Sequence, residues 1–134
     1  MTLHAESMLC EDGPLSRRLV GFEMRPQQVE MAKLVEETLA KRGRLLVEAG
    51  TGVGKSFAYL IPAIARAVEA KERVIISTNT ISLQEQLIEK DLPLLRAASS
   101  HEFSAVLAKG RGNYVSLRRL RLARERQERL FPDE

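Results

Sequence analysis

Ala49-Gly50-Thr51-Gly52-Val53-Gly54-Lys55-Ser56 is the stretch of sequence that decides the fold. It follows a short apolar run, Leu45 to Glu48, and precedes a segment whose apolar residues recur every three or four positions. The stretch therefore joins a predicted strand to a predicted helix. Its three glycines let the backbone adopt positive φ, so that successive N–H groups can surround an anion at the helix N-terminus. The pattern predicts a phosphate-binding loop.

The loop fits the Walker A pattern, with Ala49 in place of the first glycine. We expect all eight residues to contact a nucleoside triphosphate, ATP, and Lys55 and Ser56 to act in catalysis. Lys55 would reach the β- and γ-phosphates, and the Ser56 hydroxyl would ligate Mg²⁺. The alternative interpretation is a glycine-rich turn with an incidental Lys-Ser pair, and the strand and helix on either side count against it.

Helical and strand patterns alternate along the rest of the chain, which predicts an α/β fold with parallel strands and crossover helices. We predict a P-loop NTPase (RecA-like) parallel sheet flanked by helices, incomplete because three strands are few for a motor domain. The predicted helices are 26–41, 54–69, 82–95 and 113–130, and the predicted strands are 45–48, 73–77 and 104–108. Glu48, Thr78 and Lys109 stand at the carboxyl ends of the strands, where such sheets bind ligands.

The composition is that of a globular protein, with an apolar fraction of 44% and a charged fraction of 29% in 134 residues. Residues 1–21 have no clear period and are predicted to be a loose leader, while residues 22–134 form the candidate ATP-binding domain. The single cysteine, Cys10, excludes an internal disulfide. No apolar run approaches the roughly 20 residues that cross a bilayer, so we expect a cytoplasmic protein with no membrane partner.

Basic residues concentrate near the C-terminus. Between Lys109 and Leu130 there are eight basic residues, seven of them Arg, and two acidic ones. Arginine is the better residue for planar, bidentate phosphate contacts. A solvated helix face is an equally good interpretation of the charge alone.

Four segments together resemble the DinG/XPD-like DNA helicases of superfamily 2. Phe22–Met31 is similar to their Q-type motif, Glu48–Pro62 to their motif I, and Ile76–Leu87 to their motif Ia. Lys109–Tyr114 resembles the segment that leads into their iron–sulfur domain. The motifs stand in the order that the family shows and span most of the chain.

The resemblance implies further site residues. Arg25 and Gln28 would belong to the nucleotide site, where the Gln28 amide can pair with both edges of adenine; an ordinary polar helix residue is the alternative. The residues that would contact single-stranded DNA are Thr78, Thr80, Gln84, Lys109 and Arg111. Helix capping by Thr80 or Ser82 is an alternative or an additional role, and Lys109 and Arg111 could instead hold the edge of the sheet.

Two departures from the family pattern affect the expected activity. Ser116 stands where the family has its first cluster cysteine, and because serine is a poor Fe–S ligand we expect no iron–sulfur cluster. No strand ends in the Asp-Glu-x-His of motif II, since Pro132-Asp133-Glu134 has no preceding strand. The second motor domain with its arginine finger is missing as well, so we expect a fragment that hydrolyses ATP negligibly.

The sequence thus predicts the ATP-binding portion of an ATP-dependent DNA helicase that couples ATP hydrolysis to translocation on single-stranded DNA. The first alternative is a nucleotide-binding module or remnant without motor activity. The second is an unrelated P-loop enzyme such as a small-molecule kinase, which would need neither motif Ia nor the helix that carries Gln28.

Overall fold

A computed structural model of the chain describes residues 3–130, with side chains as far as Gln127. This described part is built from helices joined by turns and irregular segments. Its α-helices are α1 (Ala5–Leu9), α2 (Pro26–Ala40), α3 (Lys55–Glu69), α4 (Ile81–Gln86), α5 (Leu92–Ala98) and α6 (Leu117–Leu130). A π-helical turn, Leu87–Asp91, joins α4 to α5, and a 3₁₀ turn, Arg111–Asn113, precedes α6.

The pair formed by α2 and α3 is the centre of the fold. Pro26 opens α2, where its missing N–H has no helical partner to lose. At the other end Arg42 adopts the left-handed conformation, with φ 51°. The Gly43 N–H then donates to the Thr38 carbonyl at 2.9 Å, which closes the last turn. Both ends of α2 are thereby fixed by local backbone chemistry.

The helix that follows the phosphate loop, α3, supplies most of the core. Gly54 precedes it in the left-handed conformation, with φ 82°, which glycine adopts without a Cβ clash. Small residues alternate with Leu and Ile on its buried faces, so that α2 and α1 can both pack closely against it. The buried residues of α3 are Ala58, Leu60, Ile61, Pro62, Ala63, Ile64 and Ala65.

The N-terminal segment is predicted to be a loose leader. Its described part, residues 3–21, contributes side chains to this core. Its core side chains are Leu3, Ala5, Met8, Leu9 and Leu15. Glu36 of α2 holds the start of α1, because its carboxylate lies 2.7 Å from Nδ1 of His4 and accepts from the Ala5 N–H at 3.5 Å. Hydrogen bonding to that carboxylate, and then its charge, raise the pKa of His4. The buried residues are divided between a short helix and a turn, which explains why they show no period in the sequence.

The predicted helix 82–95 exists, but it is divided by the π-helical turn. Thr80 caps its start, since the Thr80 Oγ1 atom accepts from the Leu83 N–H at 3.2 Å. The π-helical turn ends two residues before Pro93. Proline has no amide hydrogen, so it cannot donate a backbone hydrogen bond to a carbonyl of that turn. Asp91 ends the π-helical turn with only 7% of its surface exposed and accepts from Gln86 Nε2 at 3.1 Å.

The predicted parallel sheet is wrong for this chain. Within residues 3–130 no segment forms a β-strand, and no backbone hydrogen bond joins the segments 45–48, 73–77 and 104–108. None of the three has helix, strand or turn structure, and a strand requires a neighbour whose N–H and C=O groups face its own. Leu46 is 98% exposed, Ile75 87% and Val106 90%, so one side of each segment faces solvent. The strands predicted from the apolar pattern are therefore not formed in the described chain.

The C-terminal part extends away from the core. All residues from Gly110 to Gln127 are exposed, and α6 is absent from the helix contacts that build the core. The predicted crossover helix 113–130 is therefore a helix without a sheet to cross. In the described part of the chain no helix is both long enough and apolar enough to pass through a bilayer.

Candidate functional site

The phosphate loop directly precedes α3, as the sequence predicts, but the segment 45–48 before it is not the predicted strand. Gly52 and Gly54 both have positive φ, 81° and 82°. A Cβ atom placed on Gly50 or Gly52 would meet no other atom within 4 Å, so one side of the loop is open. The residues around Gly52 thus leave room for a ligand that approaches the backbone, as a phosphate group would.

Lys55 bends back over the loop that precedes it. Its Nζ atom donates to the carbonyl oxygens of Ala49 at 2.9 Å and Gly50 at 2.7 Å. The side chain is exposed, so the ammonium can exchange these carbonyls for phosphate oxygens without a buried intermediate. Such an exchange favours the phosphate, because hydrogen bonds between two charged groups are stronger than those to a neutral carbonyl.

Two side chains from the start of α2 hold the far side of the loop. Gln28 is only 4% exposed, and its Nε2 atom donates to the Gly54 carbonyl at 2.8 Å. Arg25 donates from Nη1 to the Gly52 carbonyl. A Cβ on Gly54 would overlap the Gln28 amide and displace it from the loop, and the φ of 82° favours glycine there independently. The structure therefore brings Arg25 and Gln28 to the phosphate loop.

These contacts have one shared consequence for the loop backbone. The carbonyls of Ala49, Gly50, Gly52 and Gly54 all accept hydrogen bonds from side chains. In contrast, the N–H groups from Gly50 to Lys55 donate no hydrogen bond within the described residues. A loop with engaged carbonyls and free N–H groups is arranged to bind an anion.

Ser56 lies half-buried in the first turn of α3, next to Lys55. Burial raises the pKa of the Tyr59 phenol, and a hydrogen bond with Ser56 works against that rise. The negative charge of Asp91 raises the same pKa further. Tyr59 therefore remains a neutral hydroxyl beside Ser56 at ordinary pH. The sequence gives no signal for this neighbour, since Tyr59 falls on the partly buried side of α3.

The residues predicted to contact DNA fall into two separate groups. Thr78, Thr80 and Gln84 lie at the start of α4, and Lys109 and Arg111 lie before α6. No hydrogen bond or ion pair joins the two groups within residues 3–130. In a parallel sheet, the carboxyl ends of the strands would have brought the two groups to one edge. That sheet is not formed in the described chain.

Each group has its own local structure. Thr80 is the N-cap of α4, so the capping interpretation of this residue is correct. The Thr78 hydroxyl is buried without a hydrogen-bond partner among the described atoms, and such a group is costly unless something binds it. The Lys109 N–H donates to the Tyr114 hydroxyl at 3.0 Å, and the Arg111 side chain is exposed.

The described residues contain no group of three or more His, Cys, Asp or Glu that could hold a metal ion. Ser116 helps to start α6, since its Oγ atom accepts from the Arg119 N–H at 3.4 Å. Cys10 donates to the Ser7 carbonyl beside α1. The donors around the loop fit a nucleotide: Lys55 and free N–H groups for phosphates, and the Ser56 hydroxyl for Mg²⁺. Residues 132–134, compared with motif II above, lie outside the described residues.

The chain matches known proteins over most of its length. Residues 25–120 match the family model described as DEAD/DEAH box helicase. The ATP-dependent DNA helicase YoaA of Escherichia coli K12 is 45% identical over 109 residues, which are 81% of this chain and 16% of that protein. YoaA of Haemophilus influenzae is 42% identical over the same shares. The 3′-5′ exonuclease DinG of Staphylococcus aureus USA300 is 40% identical over 98 residues, 73% of this chain and 11% of DinG.

These matches confirm the resemblance to DinG-like helicases that the four sequence segments predict. The chain spans only about a sixth of the length of the YoaA relatives. No solved structure matches it significantly. The matched region begins at Arg25 and contains the phosphate loop and both groups of predicted DNA contacts. On this basis the chain belongs to the DEAD/DEAH box helicase family.

Proposed function

We propose that this chain is the ATP-binding portion of an ATP-dependent DNA helicase that couples ATP hydrolysis to translocation along single-stranded DNA. The observation that carries the proposal is the state of the phosphate loop. Its carbonyls accept bonds from Lys55, Arg25 and Gln28, while its N–H groups remain free. Family membership supports a P-loop NTPase, and YoaA, described as an ATP-dependent DNA helicase, supports DNA as the partner.

In this proposal each residue at the loop has a defined task toward Mg-ATP. The N–H groups from Gly50 to Ser56 bind the phosphates, helped by the positive end of the α3 dipole. Lys55 moves from the Ala49 and Gly50 carbonyls to the β- and γ-phosphates. Ser56 ligates Mg²⁺, with the neutral Tyr59 hydroxyl beside it. Gln28 fixes the Gly54 end of the loop through its amide nitrogen, and pairing with adenine would require that amide to leave the Gly54 carbonyl.

The DNA side of the proposal rests on the start of α4 and on the segment before α6. The Thr78 hydroxyl is buried without a partner among the described atoms, so a phosphate oxygen could reach it only after the surrounding residues move. Thr80, Gln84, Lys109 and Arg111 would add backbone contacts, which position a strand without reading its sequence. We also propose a cytoplasmic location, as the sequence leads us to expect.

The alternative function is a nucleotide-binding module without motor activity. Phosphoryl transfer needs an acid that holds Mg²⁺ and orients water, and in this alternative no such acid acts with the loop. The two functions share the same nucleotide site and differ in whether longer forms of the protein hydrolyse ATP. A small-molecule kinase is disfavoured by the family match.

Titration calorimetry with Mg-ATP tests the nucleotide site. We expect Lys55→Ala to weaken binding about tenfold or more, which corresponds to ~1.4 kcal/mol for the loss of a charge-assisted phosphate contact. Lys41→Ala is a matched control, since Lys41 is an exposed lysine at the end of α2 paired only with Glu37. Equal affinities for Lys55→Ala and the parent would refute the phosphate-loop assignment.

A further inference from the structure

The helix α6 is the most strongly charged exposed surface of the described chain. Between Leu117 and Gln127 it has one acidic residue, Glu125. Its five arginines in the same range are all exposed: Arg118, Arg119, Arg121, Arg124 and Arg126. No other helix of the described chain carries a comparable excess of one charge.

None of these arginines is neutralised within the described residues. The ion pairs that the structure contains there all fall between His4 and Glu72. Even Arg121 and Glu125, spaced one helical turn apart, do not pair. Like charges at positions three apart, such as Arg118 and Arg121, destabilise a helix. An isolated helix of 14 residues has marginal stability in water. An anionic partner that neutralises the arginines would therefore stabilise α6.

Four of the five arginines lie on one half of α6. At 100° per residue these are Arg118, Arg119, Arg121 and Arg126, and the same half also carries Leu122 and Glu125. Arg124 lies on the other half, with Leu117 and Leu120. From Arg118 to Arg126 the helix rises about 12 Å. Consecutive phosphates of a strand are about 3.4 Å apart along the axis even in compact B-form DNA, so a single strand lying along α6 brings more than one phosphate within reach of these arginines.

We propose that α6 binds the phosphates of single-stranded DNA through Arg118, Arg119, Arg121 and Arg126. The choice of DNA rests on the proposed function, and the phosphate chemistry rests on α6 itself. Arginine forms bidentate bonds with phosphate oxygens, which an ammonium cannot do. A membrane surface is disfavoured, because interfacial helices need a broad apolar face with aromatic residues and α6 has none between Val115 and Leu130.

The test measures the salt dependence of DNA binding by the full 134-residue chain, using fluorescence anisotropy with a labelled thymidine 20-mer. The slope of log affinity against log salt reports the number of phosphates neutralised, at about 0.7 per phosphate for single strands. The variant replaces the four named arginines with glutamine, which preserves helix propensity. We expect its slope to be shallower by about 2.8.

A matched control removes the same charge elsewhere. It carries Arg17→Gln, Arg18→Gln, Lys41→Gln and Lys71→Gln, all at exposed positions outside α6. We expect the control to keep the parent's slope. A third variant with lysine at the four α6 positions should keep the slope and lose affinity, because its charge remains and its bidentate contacts do not. If the glutamine variant fails to fold, the loss of affinity in the lysine variant is the result that tests the proposal.

The outcomes separate this inference from the proposed function. An unchanged slope in the α6 glutamine variant, or an equal change in the control, overturns the role of α6. Binding to phosphatidylserine vesicles or to poly-glutamate, without binding to the 20-mer, also overturns it. Mg-ATP titration on the same samples is independent: its failure in the parent refutes the nucleotide site and leaves the α6 result standing.

Discussion

Gln28→Ala is the substitution that best separates two roles of one side chain. The sequence resemblance implies that Gln28 pairs with adenine. The structure places its amide against the loop, with Nε2 2.8 Å from the Gly54 carbonyl and only 4% of the residue exposed. If the contact between Gln28 and the loop stabilises the fold, the substitution lowers the free energy of unfolding even when no nucleotide is present.

The magnitude follows from the environment of the Gly54 carbonyl. Removing the Gln28 amide takes away its side-chain donor in a partly buried place, and a lost partner of this kind costs about 1–3 kcal/mol. The carbonyl keeps a second bond from the Ala58 N–H at 3.3 Å, which moves the estimate toward the lower end. We therefore expect Gln28→Ala to lower the free energy of unfolding by about 1–2 kcal/mol.

Urea denaturation of the nucleotide-free chain measures that loss, with Gln27→Ala as control because Gln27 is the exposed neighbour. Titrations with Mg-ATP and Mg-GTP then distinguish the roles. A loop contact predicts that both nucleotides lose affinity by a similar factor, whereas adenine pairing predicts a selective loss for ATP. A denaturation free energy within about 0.5 kcal/mol of the parent would refute the reasoning on the loop.

Three further predictions concern the core, the chemistry and the metal. Leu9→Ala should cost about 2–5 kcal/mol in urea denaturation, because Leu9 is fully buried, whereas Val20→Ala at an exposed position should change little; equal effects would mean that the N-terminal segment is loose after all. The 134-residue chain should release negligible phosphate from ATP with or without DNA, and turnover on the order of 1 s⁻¹ would contradict the missing motif II. Anaerobically purified protein should be colourless and free of stoichiometric iron, since Ser116 replaces the expected cysteine and Cys10 is the sole thiol; a brown sample with acid-labile sulfide would contradict this.

The helices at the centre of the fold could be predicted from the sequence alone. The pattern predicts 26–41 and 54–69, and the structure has Pro26–Ala40 and Lys55–Glu69. Helical hydrogen bonds are local, so the period of apolar residues and the Pro and Gly signals contain nearly all the information that is needed.

The predicted sheet was wrong for the opposite reason. The apolar runs at 73–77 and 104–108 favour an extended backbone buried on both faces, but they say nothing about which segment lies beside them. Pairing is a non-local property, and in the described chain Ile75 and Val106 are exposed. The leader has a similar explanation: Leu3 and Leu15 are buried by contacts with distant helices, and no period in their own segment reports such contacts.

The candidate site lies between these two cases. Its residue types could be predicted, because a loop that binds phosphate needs glycines, Lys55 and a hydroxyl in fixed order. The contacts that hold it could not, because Gln28 and Arg25 are more than 20 residues away in sequence. Their donors hold the Gly54 and Gly52 carbonyls in place, and the neighbouring N–H groups donate no hydrogen bond within the described residues. Lys55 is different, because the phosphates must displace its own carbonyl contacts before it can bind them. In the nucleotide-free loop the backbone N–H groups are therefore free to bind an anion, whereas the Lys55 ammonium is still bonded to carbonyls of the loop. We therefore expect ATP binding to move the Lys55 side chain more than the Gln28 or Arg25 side chain.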